Sequence, residues 1–238
     1  MEHFRERFEQ SRLRLSHLGA ACAFIYVLAA GVQQVILGHF PAHPSPAQAL
    51  LIRCETIDLL RATLILLAIL MGMVVFVAIA AHRVRSSPGA VLLGLPFAVL
   101  WVALELWYRS IDLFVVSLQW ARAYRVATDD ALEQQLLERT IQWDGIVTAL
   151  YFPLLLVLLV AVICFAFALG TEPRWKVRVP ALGWSLYGTT VLARILGGYA
   201  GLAWLEPFND RAYFPAVILA YGTTAIWLWS EGPPWATV

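Results

Sequence analysis

Trp101, Glu105, Tyr108, Arg109 and Asp112 sit within twelve residues of one another. On an α-helix, positions i, i+4, i+7 and i+8 share a face, so these five side chains fall within roughly a 100° arc. The stripe presents two acids, a base and two aromatic rings to whatever packs against it. Glu105 can serve as general acid or base, and Asp58 is the other candidate for that work. Arg61, Arg109 and Arg194 carry planar guanidinium groups that match phosphate geometry. A second reading needs no ligand: Arg109 pairs with Glu105 one turn away, Arg61 with Asp58, and Arg194 with a remaining acid. Such pairs hold a bundle together without binding anything.

The elements that must position these residues follow from composition. The chain has 238 residues, 61% of them hydrophobic, with 17 Lys and Arg, 16 Asp and Glu, and a net charge of +1. A water-soluble chain of this size carries about a quarter charged residues and under half apolar ones. A soluble globule, a disordered chain, a coiled coil and a disulfide-stapled domain are therefore excluded. Nucleic acid is not an expected partner, because a charge near zero gathers no polyanion. The fold class is all-α: one polytopic membrane domain over residues 1–238.

A bilayer core of about 30 Å needs roughly 20 apolar residues at 1.5 Å each. Six runs meet that need, at about 18–38, 59–81, 90–112, 145–169, 180–204 and 212–230. They are too long and too rich in Leu, Val and Ala for outer-membrane strands. The stretch from Met1 to His17 is longer and more mixed in charge than a signal peptide's leading region, so the first run reads as a retained helix. Pro41, Pro44 and Pro46 stop it by about Gly38. Apolar periodicity carries the third helix on to Trp120, beyond the membrane's expected edge. Asp130 and Glu133 have capping-box spacing, and Leu132, Leu136 and Leu137 form one stripe, so a short interfacial helix is expected at about 129–141.

Lys and Arg in short loops set orientation. Arg5, Arg7, Arg12, Arg14, Arg83, Arg85, Arg174, Lys176 and Arg178 collect on one side, against Arg53, Arg122, Arg125, Arg139 and Arg211 on the other. With six spans, both termini are expected in the cytoplasm of a bacterial cell, the protein lying in the inner (plasma) membrane. Charges inside spans are costly and by default face the bundle interior. Those of this chain all fall in the outer half, which predicts a polar cavity open to the outer side. Arg61, Trp101, Glu105, Tyr108, Arg109, Asp112 and Arg194 are its expected ligand-binding residues, with Trp107, Tyr199 and Trp204 as further wall.

Other patterns carry less. His39 and His43 have metal-ligand spacing, but Pro41 between them forbids an ordinary helix, so no metal is expected. No His lies well inside a span to hold haem, and no cofactor is expected. Ser110, Ser117 and Ser185 have no His partner within a span. The three Cys form no CxxC pair or disulfide framework. Trp107, Trp120, Trp143, Trp175, Trp204, Trp229 and Trp235 sit near span ends, where interfacial belts place Trp. Gly197, Gly198 and Gly201 suggest a close helix approach on the fifth span.

An Arg-rich N-terminus running into an apolar helix, Glu105 in the third helix and Pro173-Arg174-Trp175 at the entrance to the fifth together resemble bacterial six-helix membrane proteins grouped as domains of unknown function. The resemblance covers most of the chain and implies location and topology, without an activity.

Two functions are expected from these residues. The first is a binding or accessory protein whose cavity holds a membrane lipid or other amphiphile, or part of a membrane-protein partner. The alternative is an intramembrane enzyme acting on a lipid-like, phosphorylated substrate, with Glu105 or Asp58 as acid or base. No metal motif, nucleophile motif or Gly-rich phosphate loop supports the enzyme. A small transporter would show a repeat or broken paired helices, and neither is present.

Overall fold

Prolines and glycines punctuate the chain, and the apolar stretches between them become helices. The computed structural model describes residues 2–41 and 44–231. Helix α1 spans Glu2–Leu37 and stops before the Pro-rich loop; α2 follows over Pro46–Arg53. Ser45 caps α2 by accepting from the Gln48 N–H (3.3 Å), while the Gln48 side chain accepts from the Ser45 N–H (3.0 Å). Helix α3 covers Thr56–Arg83 and α4 Pro88–Ile111, continued by a π-helical segment Asp112–Ala121 and by α5, Arg122–Val126. Helices α6 (Asp130–Gly170), α7 (Trp175–Tyr199) and α8 (Glu206–Ser230) complete the order, with a 3-10 turn at Ala203–Leu205. No strand occurs among the described residues.

Among the described residues five helical stretches are long and apolar enough to cross a membrane: Ser11–Leu37, Thr56–Arg83, Pro88–Val126, Asp130–Gly170 and Ala203–Ser230. Helix α7 is long enough, about 37 Å at 1.5 Å per residue, but Lys176, Arg178, Ser185, Thr189 and Arg194 dilute its apolarity.

The six long helices close into a ring in chain order, α1 against α3, α3 against α4, α4 against α6, α6 against α7, α7 against α8, and α8 back against α1. Neighbours run antiparallel. The end of α3, the start of α4 and the end of α6 meet through Arg83, Ser87 and Ala168. Ser16 near the start of α1 donates to the Leu228 carbonyl near the end of α8 (2.6 Å). The first part of α1 and the last of α8 thus share one end of the ring, the terminal end.

Aromatic rings fill the middle. Phe76 lies 5.0 Å from Phe165, 5.2 Å from Trp184 and 6.1 Å from Trp101, and Tyr26 stacks on Tyr221 at 3.9 Å. At Gly183 backbone meets backbone, since a Cβ there would lie 2.8 Å from the Leu219 carbonyl carbon and oxygen. Among the glycines expected to pack, Gly197 approaches the Glu206 side chain, whereas a Cβ on Gly198 or Gly201 would meet nothing within 4 Å. Gly201 instead supplies a backbone turn, with φ of +74° after α7.

Two expectations are revised by the helix bounds. The segment at 129–141 is the first part of the 41-residue α6 rather than a separate interfacial helix. Asp129, not Asp130, is its cap, accepting from the Ala131 N–H at 3.1 Å. Leu136 and Thr140 are already buried there, and the lone Gly145 costs a helix only about 0.5–1 kcal/mol, too little to break it. The fifth helix begins at Trp175 with Pro180 inside it and ends at Tyr199, five residues short of the expected edge, because the chain turns at Ala200 and Gly201.

At the terminal end a clamp forms that was not anticipated. Arg83 is 3% exposed and donates to the Ala168 carbonyl (2.9 Å), Glu172 Oε2 (2.6 Å) and Thr171 Oγ1 (3.1 Å). Arg174 donates to Glu172 Oε1 and to Glu231 Oε1, both at 3.0 Å, tying the α6–α7 loop to the end of α8.

Candidate functional site

Antiparallel packing brings residues far apart in sequence to one level near the other end of the ring. There α1 supplies Gln33 and Gln34, α4 supplies Trp101, Glu105 and Arg109, α6 supplies Tyr151, α7 supplies Arg194 and α8 supplies Tyr213. They wall a chamber of about 120 Å³ whose deeper surface is apolar, with Leu158 and Val191 among its residues. Two wider chambers share its walls. One, of about 470 Å³, lies towards Arg53, Asp112 and Asp144; the other, of about 530 Å³, lies towards Glu206, Asn209 and Asp210. Arg194 borders all three and is accessible.

The stripe on α4 is resolved into distinct partners. Glu105, 7% exposed, accepts on Oε1 from the Tyr108 hydroxyl (3.1 Å) and from Arg109 Nε (3.2 Å). Its Oε2 is buried and has no hydrogen-bond partner. The Arg109 guanidinium carbon lies 4.6 Å from the Tyr108 ring centre, and Tyr108 meets Tyr151 edge-on at 6.1 Å. Arg194 lies over the Tyr151 ring at 4.8 Å, an arrangement that aromatic quadrupoles favour. Among the described residues no carboxylate pairs with Arg194.

The remaining expected residues separate from this cluster. Asp58 is buried in an ion pair with Arg61 Nε (2.7 Å) and borders none of the three chambers, while Arg61 borders only the one towards Asp144. Asp112 opens the π-helical segment, accepts from Arg53 and from Trp143 Nε1 (3.3 Å), and belongs to that same chamber. Arg53 also reaches Asp144 Oδ1 at 2.8 Å, so it bridges two acids. The π winding begins at Asp112, which is why a stripe drawn on a regular helix stops describing the surface there. Trp107 and Trp204, expected as wall, are 55% and 72% exposed and line none of the three chambers, whereas Tyr199 lines the one towards Asp144 and its hydroxyl donates to the Thr148 carbonyl at 2.7 Å.

Tyr151, Tyr213, Gln33, Gln34, Asn209 and Arg53 were not singled out from the sequence. A polar residue recurring near the same end of successive apolar runs was the signal available, and Gln33 and Gln34 show it on α1. Ser117 and Ser185 bond backbone carbonyls of their own helices, at 3.0 and 2.8 Å. His39 Nδ1 donates to the Val35 carbonyl (2.7 Å), and His43 and Trp235 lie outside the described residues. Among the described residues no group of three His, Cys, Asp or Glu is placed to hold a metal ion.

No family model matches the chain, and no curated protein or solved structure matches it.

Proposed function

We propose that this chain is an integral membrane protein of six spans, both termini cytoplasmic, in a bacterial inner membrane, and that it binds an amphiphile whose polar head enters the chambers from the outer side. Helix α7 counts as the sixth span because it is a wall of the ring, flanked by α6 and α8 and about half buried against them. Lys176 and Arg178 lie in its first turn, where a span meets the headgroups, Ser185 and Thr189 donate to carbonyls of their own helix, and Arg194 borders the chambers, so its modest apolarity is tolerated. Orientation rests on Arg12, Arg14, Arg83, Arg85, Arg174, Lys176 and Arg178 lying at the terminal end.

The observation that carries the binding reading is Arg194: an accessible cation on an aromatic face, without a carboxylate, where three chambers meet. An anionic head satisfies it, and Arg109 lies on the same chamber wall to share the load. Glu105 Oε1 is occupied by Tyr108 and Arg109, which suits a fixed part of the wall.

Native mass spectrometry of the detergent-purified protein, with lipidomics of what co-purifies, tests this. The wild type is expected to retain a defined amphiphile that Arg194→Ala and Arg109→Ala lose. Equal retention by all three proteins, or none by the wild type, would refute it. Turnover of the lipid by the purified protein would replace binding with catalysis. A reporter fused after Val238 that is active only outside the cytoplasm would refute the topology.

A further inference from the structure

The small chamber has a formal charge balance that its ligand must complete. Glu105 and Arg109 answer each other through their contact at 3.2 Å, which leaves Arg194 as the cation of this lining without a carboxylate among the described residues. Neutrality therefore asks for a head bearing a single negative charge. A second demand comes from Glu105 Oε2, a buried carboxylate oxygen with no donor. Leaving such an acceptor unmatched is costly, so the occupant should bring a proton donor to it. Size adds a third limit, because about 120 Å³ is a little less than the cavity of about 150 Å³ that accepts benzene, so the hydroxyl-bearing end of a head fits, its anion resting at Arg194 where the wider chambers adjoin, and an acyl chain does not.

Taken together, and resting on the amphiphile reading above, we propose that the chamber recognises a monoanionic head that also carries a free hydroxyl: the anion on Arg194, the hydroxyl donating to Glu105 Oε2, the acyl chains left in the bilayer outside the ring. A lipid phosphodiester ending in a polyol has this chemistry. So does the same head cut free of its chains, and the two sources are separated below.

The purified full chain is presented in nanodiscs or by native mass spectrometry with four probes. Phosphatidylglycerol carries one negative charge and hydroxyls; phosphatidylmethanol carries the same charge without a hydroxyl; phosphatidylcholine has no net charge; glycerophosphoglycerol is the head without chains. Phosphatidylglycerol is expected to be retained most strongly, with phosphatidylmethanol weaker by about tenfold, the factor set by one lost hydrogen bond to a charged group. Glu105→Gln is expected to abolish the discrimination between those two lipids while anion binding persists. If that variant does not fold, the comparison on the wild type decides alone. Arg194→Gln is expected to abolish the preference of both over phosphatidylcholine.

Equal retention of phosphatidylglycerol and phosphatidylmethanol would overturn the hydroxyl reading and leave amphiphile binding standing. Equal retention of phosphatidylcholine would overturn the charge reading. Glycerophosphoglycerol binding as tightly as the lipid would overturn the amphiphile reading and leave the head chemistry standing, and no retention of any probe would overturn both.

Discussion

Replacing Arg83 by Ala removes the hub of the terminal end. Its guanidinium holds the Ala168 carbonyl, Thr171 Oγ1 and Glu172 Oε2 at 2.9, 3.1 and 2.6 Å, joining α3 to the end of α6. Stranding one member of a buried ion pair costs about 3–5 kcal/mol. Two details lower that figure here. Glu172 keeps Arg174 at 3.0 Å, and the Ala168 carbonyl still accepts from Thr171 Oγ1 at 3.0 Å. What is lost is chiefly the charge-assisted bonding, so the expected destabilisation is about 2–3 kcal/mol. Glu172→Gln, which keeps an acceptor for Arg83, should cost about 1 kcal/mol, and the double variant should lose less than the sum of the singles. The assay is equilibrium unfolding in mixed micelles of dodecyl maltoside and increasing SDS, followed by tryptophan fluorescence. A loss under about 0.5 kcal/mol for Arg83→Ala, within the range of surface substitutions, would refute the clamp.

The same clamp predicts a pH dependence. The Arg83 hydrogen bond, and then that of Arg174, holds the Glu172 carboxyl below the ordinary carboxylate pKa, so its contribution is full above about pH 4.3 and is lost as pH falls through the lowered value; unfolding midpoints of wild type and Glu172→Gln should converge on acidification and diverge at neutrality. Gly183→Ala should destabilise by about 1–3 kcal/mol because its Cβ meets backbone, which cannot rotate away. Gly145→Ala, with nothing within 4 Å of a Cβ, should stabilise α6 by about 0.5–1 kcal/mol in the same unfolding assay; equal effects at the two glycines would contradict the packing. Tyr151→Leu removes the ring beneath Arg194 and should weaken anion binding about twofold to fivefold, read by the native mass spectrometry above, since an exposed cation–π contact contributes about 0.5–1 kcal/mol.

Much of the architecture is legible in the apolar runs, because length and hydropathy are properties of a segment. The end of α1 by Leu37 follows from Pro41, and the extension of α4 past the membrane edge follows from the periodicity through Trp120. Within the site, the Glu105–Arg109 and Asp58–Arg61 pairs are readable for a similar reason: one helical turn separates the partners. Residues joined only by helix packing were not readable. Arg53 finds Asp112 and Asp144 across three elements, and Arg83 finds Glu172 eighty-nine positions away. Periodicity on one helix carries no information about which helix lies opposite, so Tyr151 and Tyr213 could not be matched to Arg194. The close approach of α7 and α8 at Gly183, rather than at Gly198 or Gly201, has the same cause.

The distribution of ion pairs along the helices has a consequence for biosynthesis. Asp58 with Arg61 and Glu105 with Arg109 are paired within their own helices, so these four charges of α3 and α4 can leave the insertion machinery already matched. Helix α7 has no such internal partner for Arg194, and its own composition resists transfer into lipid. On the six-span reading proposed above, its entry depends on company: α6 before it offers Tyr151 to Arg194, and α8 after it offers the surface around Gly183. A ribosome-bound chain ending just after α7 should hold that helix loosely, and one that includes α8 should hold it firmly, which a glycosylation-site or force-profile scan across 175–230 would register as a single late event.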